Sequence, residues 1–441
     1  VDVLHYSLGG WPAPYGIALE VDAYSALLLL VLTGASTIAL AAGRASLDRQ
    51  IEAHRQPLFF SAWLLSLAGM AGILVTADAF NIFVFMEISS LASYVLVAGG
   101  PDRRALPAVF KYLVMGTVGA TFYLIGVGLI YMMTGTLNLA DMEARIGDVV
   151  DMNPILVAAG FITIGLALKA AVFPLHVWLP NAYTQAPHMV TVFLAACATK
   201  VALYVLIRFD YLVFQAKLAD HEVQFALFAM PLAILGILVA SAVAMFEGNL
   251  KRLLATSSVA QIGYILLGAS FVSQAGLSAS VMHIFNHALA KGGLFLAVAC
   301  LAYHYRDLRL DQLGGAAARM PWTCAALVVC GFSLIGIPGT AGFISKWLLI
   351  SAALESGPWG WGLVAVILVS SLMAVVYIWR IVEAVYFRAA VEGDSQPAEA
   401  PLQLLLVTWL VALLNIFFGL FPGVPLELAN STATLLAGFA S

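Results

Sequence analysis

The stretch Gly165–Pro187 reads GLALKAAVFPLHVWLPNAYTQAP. It begins as an apolar helix, carries Lys169, and is then interrupted by Pro174 and Pro180. Proline removes a helix hydrogen bond. In lipid, backbone released from a helix survives only where protein buries it or where it lines a wet cavity. A second stretch, Ser333–Leu349, reads SLIGIPGTAGFISKWLL and repeats the pattern with Gly336, Pro338, Gly339, Gly342 and Lys346. Two broken apolar helices, each with a lysine beside the break, predict a membrane protein that moves something through its interior.

The rest of the chain agrees with that class. Its 441 residues are 62% hydrophobic and 10% charged, with a mean hydropathy of +0.98. A soluble domain carries about 25% charged residues. Twenty basic residues against 24 acidic ones give a net charge of −4, which excludes a nucleic-acid binder. Twelve hydrophobic segments are read: 24–43, 58–76, 80–98, 107–133, 154–173, 187–208, 222–245, 251–272, 277–303, 321–351, 359–387 and 402–421. They are continuous runs without strand-like alternation, so helices are expected rather than a β-barrel. The fold class is therefore an all-α polytopic membrane protein of about twelve spans.

The breaks fall in segments five and ten. Segments two to six and seven to eleven would each hold one. Units with an odd number of spans insert upside down relative to each other, giving two inverted five-helix repeats. The expected division is residues 1–57 with the first helix, 58–208 and 222–388 as the repeats, and 389–441 as linker, last helix and tail. With residues 1–23 outside, the inner loops hold Arg44, Arg49, Arg55, Arg103, Arg104, Lys251, Arg252, Arg306, Arg309, Arg319 and Arg388. The outer loops hold only Arg145, Arg208 and Lys217. This positive-inside bias predicts a bacterial-type inner membrane protein with its N-terminal end outside. The outer loop LNLADMEARIGDVV (137–150) suits a short surface helix, and EGDSQPAEA (392–400) a linker. No signal peptide is read, and the first segment would serve as its own insertion signal.

Charges inside the spans carry the chemistry, because each costs about 2.5–3.5 kcal/mol at a helix centre. Glu87 lies within FNIFVFMEISSLASYVLVA (80–98), with Ser90 and Tyr94 on its face. It suits a proton relay, or a structural carboxylate locked to a lysine. Lys200 shares a face with Tyr204 and Arg208 at i, i+4, i+8 in FLAACATKVALYVLIRF (193–209). His283, His287 and Lys291 share another in SVMHIFNHALAKGGLFL (280–296), with Asn286 alongside. A neutral imidazole can both give and take a proton. A histidine pair at i, i+4 can also hold zinc, but no His-Glu-x-x-His motif or third ligand accompanies it. A purely structural pair is the other reading. Ser257, Gln261, Tyr264 and Gly268 form a polar stripe that lines water or packs helices. Lys346 is expected to mirror Lys169 across the repeat. Lys111 either snorkels or supports the relay. Arg380 and Glu383 are expected to pair with each other, and His176 and Trp178 to shape the first break. Cys197, Cys300, Cys324 and Cys330 make no Cys-x-x-Cys pair and read as small hydrophobes.

Four stretches together resemble the antiporter-like subunits shared by respiratory complex I, membrane-bound hydrogenases and Mrp cation/proton antiporters. They are FNIFVFMEISSLASYVL, the Lys169–Pro187 block with FPLHVWLPNAYTQAP, VMHIFNHALAKGGLFL and GIPGTAGFISKW. The opening YSLGGWPAPYGIALEVD and FNIFVFME resemble the D-type subunit of Mrp antiporters most. The resemblance implies fourteen helices, two of them ahead of Val1, and inverted five-helix repeats. It implies an intake pair, Glu87 and Lys169, a central relay of Lys200 with His283 and His287, and an exit group, Lys346. Lys291 matches the lysine that closes the family's Asn-His-Ala motif; Lys111, Ser90 and Gln261 are read as support. The expected role is proton translocation within a hetero-oligomeric membrane complex, in exchange for a cation such as sodium. The alternative is a proton-pumping subunit of a redox-driven NADH:quinone oxidoreductase or hydrogenase. No flavin, nucleotide or cluster motif is present, so no cofactor, catalytic residue or metal is assigned to this chain.

Overall fold

The computed structural model describes residues 3–100, 102–214, 221–389 and 398–437. Lys217 and residues 392–397 of the EGDSQPAEA stretch lie outside them. A short antiparallel hairpin, β1 (Leu4–Ser7) with β2 (Ala18–Val21), opens the chain. The helices that follow are α1 (Ala23–Gln50), α2 (Gln56–Val75), α3 (Ala79–Ala98), α4 (Ala105–Thr134), α5 (Leu139–Ile146), α6 (Asn153–Ala170), α7 (Trp178–Gln185) and α8 (His188–Arg208). Then come α9 (His221–Phe246), α10 (Leu250–Ala269), α11 (Gln274–His304), α12 (Ala316–Arg319), α13 (Pro321–Ile335), α14 (Ala341–Glu355), α15 (Gly360–Val382), α16 (Leu402–Leu420) and α17 (Gly423–Ala437).

The twelve expected segments are all present. Ten helices among the described residues are long and apolar enough to cross a membrane. Segment eight is the 20-residue α10, whose polar stripe dilutes its apolar character. Segment ten is divided at its break into α13 and α14, 15 residues each. Leu58, Leu106, Phe110, Trp361 and Leu372 face outward and are exposed, as lipid-facing residues are. The centre is occupied by α11 and α8, whose apolar windows are 94% and 89% buried. Helix α17, which sequence patterning did not anticipate, packs on α1 and α11. Its LELANSTATLLA stretch is too polar to read as a span, yet Asn430 Oδ1 accepts a 2.6 Å bond from Ser278.

The two units show matching architecture. Asp78 caps α3 by accepting from Asn81 N, and Asn249 caps α10 by accepting from Arg252 N. Each cap sits in an isolated antiparallel bridge to the loop after the next helix, Asp78 with Asn138 and Asn249 with Arg309. The pairs α2–α3, α3–α4, α4–α6 and α4–α7 in the first unit correspond to α9–α10, α10–α11, α11–α13 and α11–α14 in the second, and all eight are in contact. The first unit starts on the side where α1 ends, and the second starts on the opposite side. The units are therefore inverted.

Both breaks are left-handed stops. Helix α6 ends at Ala171 (φ 57°) and α13 at Gly336 (φ 90°). Glycine adopts that conformation freely. Gly342 is required for a different reason: a Cβ there would lie 1.8 Å from the Ser333 carbonyl oxygen, so only glycine lets α14 start against the end of α13. Trp178 shapes the first break as expected. Its indole donates to Leu168 O at 3.0 Å and stacks on Tyr112. His176 stacks on Phe173 in the connecting loop.

Candidate functional site

Glu87 lies in the third turn of α3, and Lys169 lies two residues before the stop of α6. Their side chains meet across the bundle, with Nζ 3.5 Å from the Glu87 carboxylate. The shorter bond, 2.7 Å, runs from Lys169 Nζ to Ser90 Oγ. Ser90 thus holds the ammonium beside the carboxylate rather than locked onto it. A cavity of about 40 Å³ adjoins Lys169, lined by Ser89, Ser90, Ser93 and Tyr112 on one side and Ala198, Val201 and Val205 of α8 on the other. One water needs roughly 10–15 Å³ of such space and two to four polar partners, so the cavity has room and hydroxyls for water. It runs along the helix that carries Lys200.

Lys200 is buried, and its ammonium donates to the carbonyl of Ala195. Helix α8 packs on α11, and Lys200 is within electrostatic reach of His283, His287 and Lys291. On α11 the His283 and His287 rings are stacked with centroids 6.2 Å apart. His283 Nε2 bonds Gln261 Oε1 at 3.0 Å, and Nδ1 meets Ser345 Oγ at 2.9 Å. An amide oxygen only accepts, so Nε2 carries the proton and Nδ1 accepts from the serine hydroxyl. Both ring nitrogens of His287 are buried without a hydrogen-bond partner. Buried polar groups are otherwise almost always paired, so an imidazole left open between His283 and Lys291 suits water-mediated proton exchange. Lys291 donates to Leu254 O at 2.6 Å and to Ser257 Oγ.

Lys346 sits on α14, the half-helix after the break. The expected mirror of Lys169 therefore does not hold by position, because Lys169 is on the half-helix before its break. The side chain of Lys346 reaches back instead. Nζ donates to Ile335 O at 2.8 Å, to Leu334 O at 3.2 Å and to Ser371 Oγ at 3.1 Å. The ammonium thus occupies the negative end of the α13 dipole, the favourable place for a cation. It also lies 5.0 Å from the centre of the Tyr264 ring, which stands edge-on to His283. Gln261 and Tyr264 of the polar stripe therefore join the His283 and Lys346 sites. Ser345 and Ser371 were not singled out from sequence. Ser345 was detectable, as the neighbour of Lys346 one turn from the break.

Several charges stand where sequence windows did not put them. Lys251 and Arg208 were counted as loop cations, but both are buried. Lys251 donates to Ala186 O, and Arg208 is clamped to Asp22 of the segment before α1. The side bias of the remaining cations survives their removal. Arg380 and Glu383 do not pair. Arg380 reaches the terminal carbonyls Met245 O and Glu247 O beyond α9, while Glu383 pairs with Arg388 at 3.3 Å. Helix-end carbonyls offer Arg380 a site its own helix lacks. Lys111 is exposed on the outer face of α4, away from the row. The four cysteines are buried and free. Among the described residues no group of three or more His, Cys, Asp or Glu is placed to hold a metal. In the loops, burial pushes the Asp78 carboxyl up from the usual carboxylate range, and backbone hydrogen bonds from Asn81 and Phe80 only partly oppose it.

The family described as NADH:quinone oxidoreductase/Mrp antiporter, transmembrane, matches residues 76–374. The chain belongs to this family. It is 40% identical over 396 residues to the N subunit of the NADH-quinone oxidoreductase of Desulforudis audaxviator, covering 90% of this chain and 78% of that protein. It is 30% identical over 415 residues to the D subunit of the Na(+)/H(+) antiporter of Bacillus subtilis, covering 94% and 82%. Its fold matches a chain of the Mrp complex from Dietzia sp. DQ12-45-1b with a TM-score of 0.89 at 28% identity, over 99% of this chain and 87% of that one. As an antiporter-family subunit it is an integral membrane protein of the all-α, multi-span class read from its sequence.

Proposed function

We infer that this chain is the proton-translocating subunit of a multisubunit cation/proton antiporter. The observation that carries this reading is the row of ionisable groups through the bundle, from the half-buried Glu87–Lys169 pair through buried Lys200, His283 and His287 to Lys346 after the second break. The route assigned is Glu87, Lys169, Lys200, His283, His287 and Lys346. Ser90 holds Lys169, Gln261 fixes the His283 tautomer, and Lys291 closes the α11 cluster. Lys111, exposed on α4, is assigned to the contact with a neighbouring subunit or lipid.

Charge explains how the row would work. Lys169 sits two residues before the left-handed stop of α6, bonded to Ser90 and near Glu87, and a shift at the break would let it swing. Swung away from Glu87 and toward the cavity, its charge approaches Lys200 and favours release of the Lys200 proton. The open imidazole of His287 and the hydrogen-bonded imidazole of His283 would pass that proton toward Lys346. The inverted units 58–208 and 222–388 would each supply one hinged lysine. Sodium is the cation to test, the N-terminal end faces outward, and the membrane is a bacterial inner membrane.

The relative at 40% identity favours a second reading, a proton channel in a redox-driven complex in which other subunits hold the redox groups. Purifying the complex from its native membrane in mild detergent, with mass spectrometry of the co-purifying chains, separates the two. Small hydrophobic partners and sodium-driven proton movement support the antiporter. Iron–sulfur or flavin partners, with proton movement driven only by electron transfer, would replace it with the redox pump.

A further inference from the structure

The cavity beside Lys169 follows α8 as far as Val205 and α2 as far as Ile73. One structure joins the residues next to both of those ends. Tyr204, next to Val205, donates its hydroxyl to Leu74 O at 3.0 Å, next to Ile73. One turn further along α8, Arg208 donates to the Tyr204 hydroxyl and to the carboxylate of Asp22. Asp22 in turn is fixed as the cap of α1, accepting from Ser25 N at 2.8 Å. The Tyr24 ring closes the layer against Tyr204, with centroids 4.7 Å apart. Asp22, Tyr24, Tyr204 and Arg208 are all buried. Four elements, the segment before α1, α1, α2 and α8, are thus tied together across the end of the water-sized cavity, on the side of the membrane that holds the N-terminal hairpin.

We propose that the Arg208–Asp22 clamp with Tyr204 is a proton-leak plug, sealing the cavity beside Lys169 from the aqueous phase on the hairpin side. The inference rests on the relay reading. A relay exposed to that phase beside Lys200 would let protons escape before reaching His283 and Lys346. Arginine suits the plug and lysine does not. Its guanidinium cannot give up a proton in a protein, so it cannot serve as a relay member. Fixed cationic groups at constrictions exclude protons and cations from conducting paths. Asp22 holds the guanidinium in place, and Tyr204 links it to the Leu74 carbonyl, one residue past the cavity-lining Ile73. Lys200, Tyr204 and Arg208 lie on one face, so the plug stands directly along α8 from the relay lysine.

The test uses the whole complex in proteoliposomes, measuring passive proton leak under an imposed pH gradient with no exchangeable cation. The variant is the double substitution Asp22→Asn with Arg208→Gln, which removes both charges together and leaves no unpaired buried ion. Its leak is expected to rise above the parent's, and adding Lys200→Ala is expected to bring it back down. A leak that persists in the triple variant would reflect disturbed packing and would overturn the proposal. So would a double variant that assembles normally and stays as proton-tight as the parent. Lys200→Ala alone tests the relay separately. If it abolishes coupled exchange while the double variant is tight, only the plug fails; if it leaves exchange intact, the relay reading fails first.

Discussion

Replacing Glu87 tests the intake end of the row in graded steps. At 3.5 Å the Glu87–Lys169 attraction is about 4.7 kcal/mol at the effective dielectric of 20 suited to protein sites. Glu87→Asp shortens the side chain by one methylene and moves the carboxylate to about 5 Å, where the same expression gives about 3.3 kcal/mol. The loss of about 1.4 kcal/mol corresponds to roughly a tenfold change in the occupancy of the paired state. Glu87→Gln removes the charge and all of the attraction. Everted vesicles from cells carrying the complex, with a fluorescent pH-gradient probe and a cation pulse, read the outcome. The Asp variant is expected to retain roughly a tenth of the parent's initial rate, and the Gln variant none above background. Subunit levels in the membrane should be unchanged in both. A Gln variant that exchanges at the parent rate would refute the charge reasoning, and equal, complete loss in both variants would refute the distance dependence.

Three further outcomes follow from the geometry. Lys346→Ala removes the donor from Leu334 O, Ile335 O and Ser371 and should abolish coupled transport while the complex still assembles on native gels; transport at the parent rate would remove Lys346 from the route. Ser345→Ala deletes the hydroxyl that His283 Nδ1 accepts from. A neutral hydrogen bond is worth about 0.5–1.5 kcal/mol, so the transport rate should fall roughly 2- to 10-fold, with a shifted pH–rate profile that a packing defect alone would not produce. Asp78→Asn keeps the α3 cap but removes a carboxyl whose burial raises it above the usual range. An acid raised in the folded state is ionised first in the unfolded chain, so the wild type loses stability as pH rises through the unfolded value of about 3.9. The Asn variant should therefore melt at or above the wild-type temperature near pH 7 and alongside it below pH 4. Thermal melts in detergent across that range check the sign.

Much of this was legible because bilayers penalise the residues that matter. Glu87, Lys169, Lys200, His283, His287 and Lys346 stood out as charges or imidazoles in apolar runs, and Pro174, Pro338 and Gly336 marked the breaks. The face shared by Lys200, Tyr204 and Arg208 was readable from helical spacing, and the structure uses it. What the sequence hid depends on long-range contacts. Nothing local says that Arg208 reaches Asp22, 186 residues away in the chain. Lys251 sits beside Arg252 and looks like a loop cation, yet one is buried against Ala186 O and the other pairs at the surface with Glu247. Lys346 reads as a mirror of Lys169 because both flank a break, but Lys169 precedes its break and Lys346 follows its own, so they lie on different half-helices. The hairpin β1–β2 and α17 went unread because their amphipathic sequences carry neither a span's apolar run nor a long period. Ala171 closes α6 in the left-handed region without the glycine that would have announced it.

The most direct test of proton passage through this chain is cation-driven proton flux in proteoliposomes containing the purified complex with Lys200→Ala beside the parent. Lys200 is buried in α8, the helix of the first unit that packs on α11 of the second. The relay predicts sodium-driven proton movement in the parent and none above the protein-free background in the variant, at equal subunit content. Parent-level flux in a fully assembled Lys200→Ala complex would contradict it.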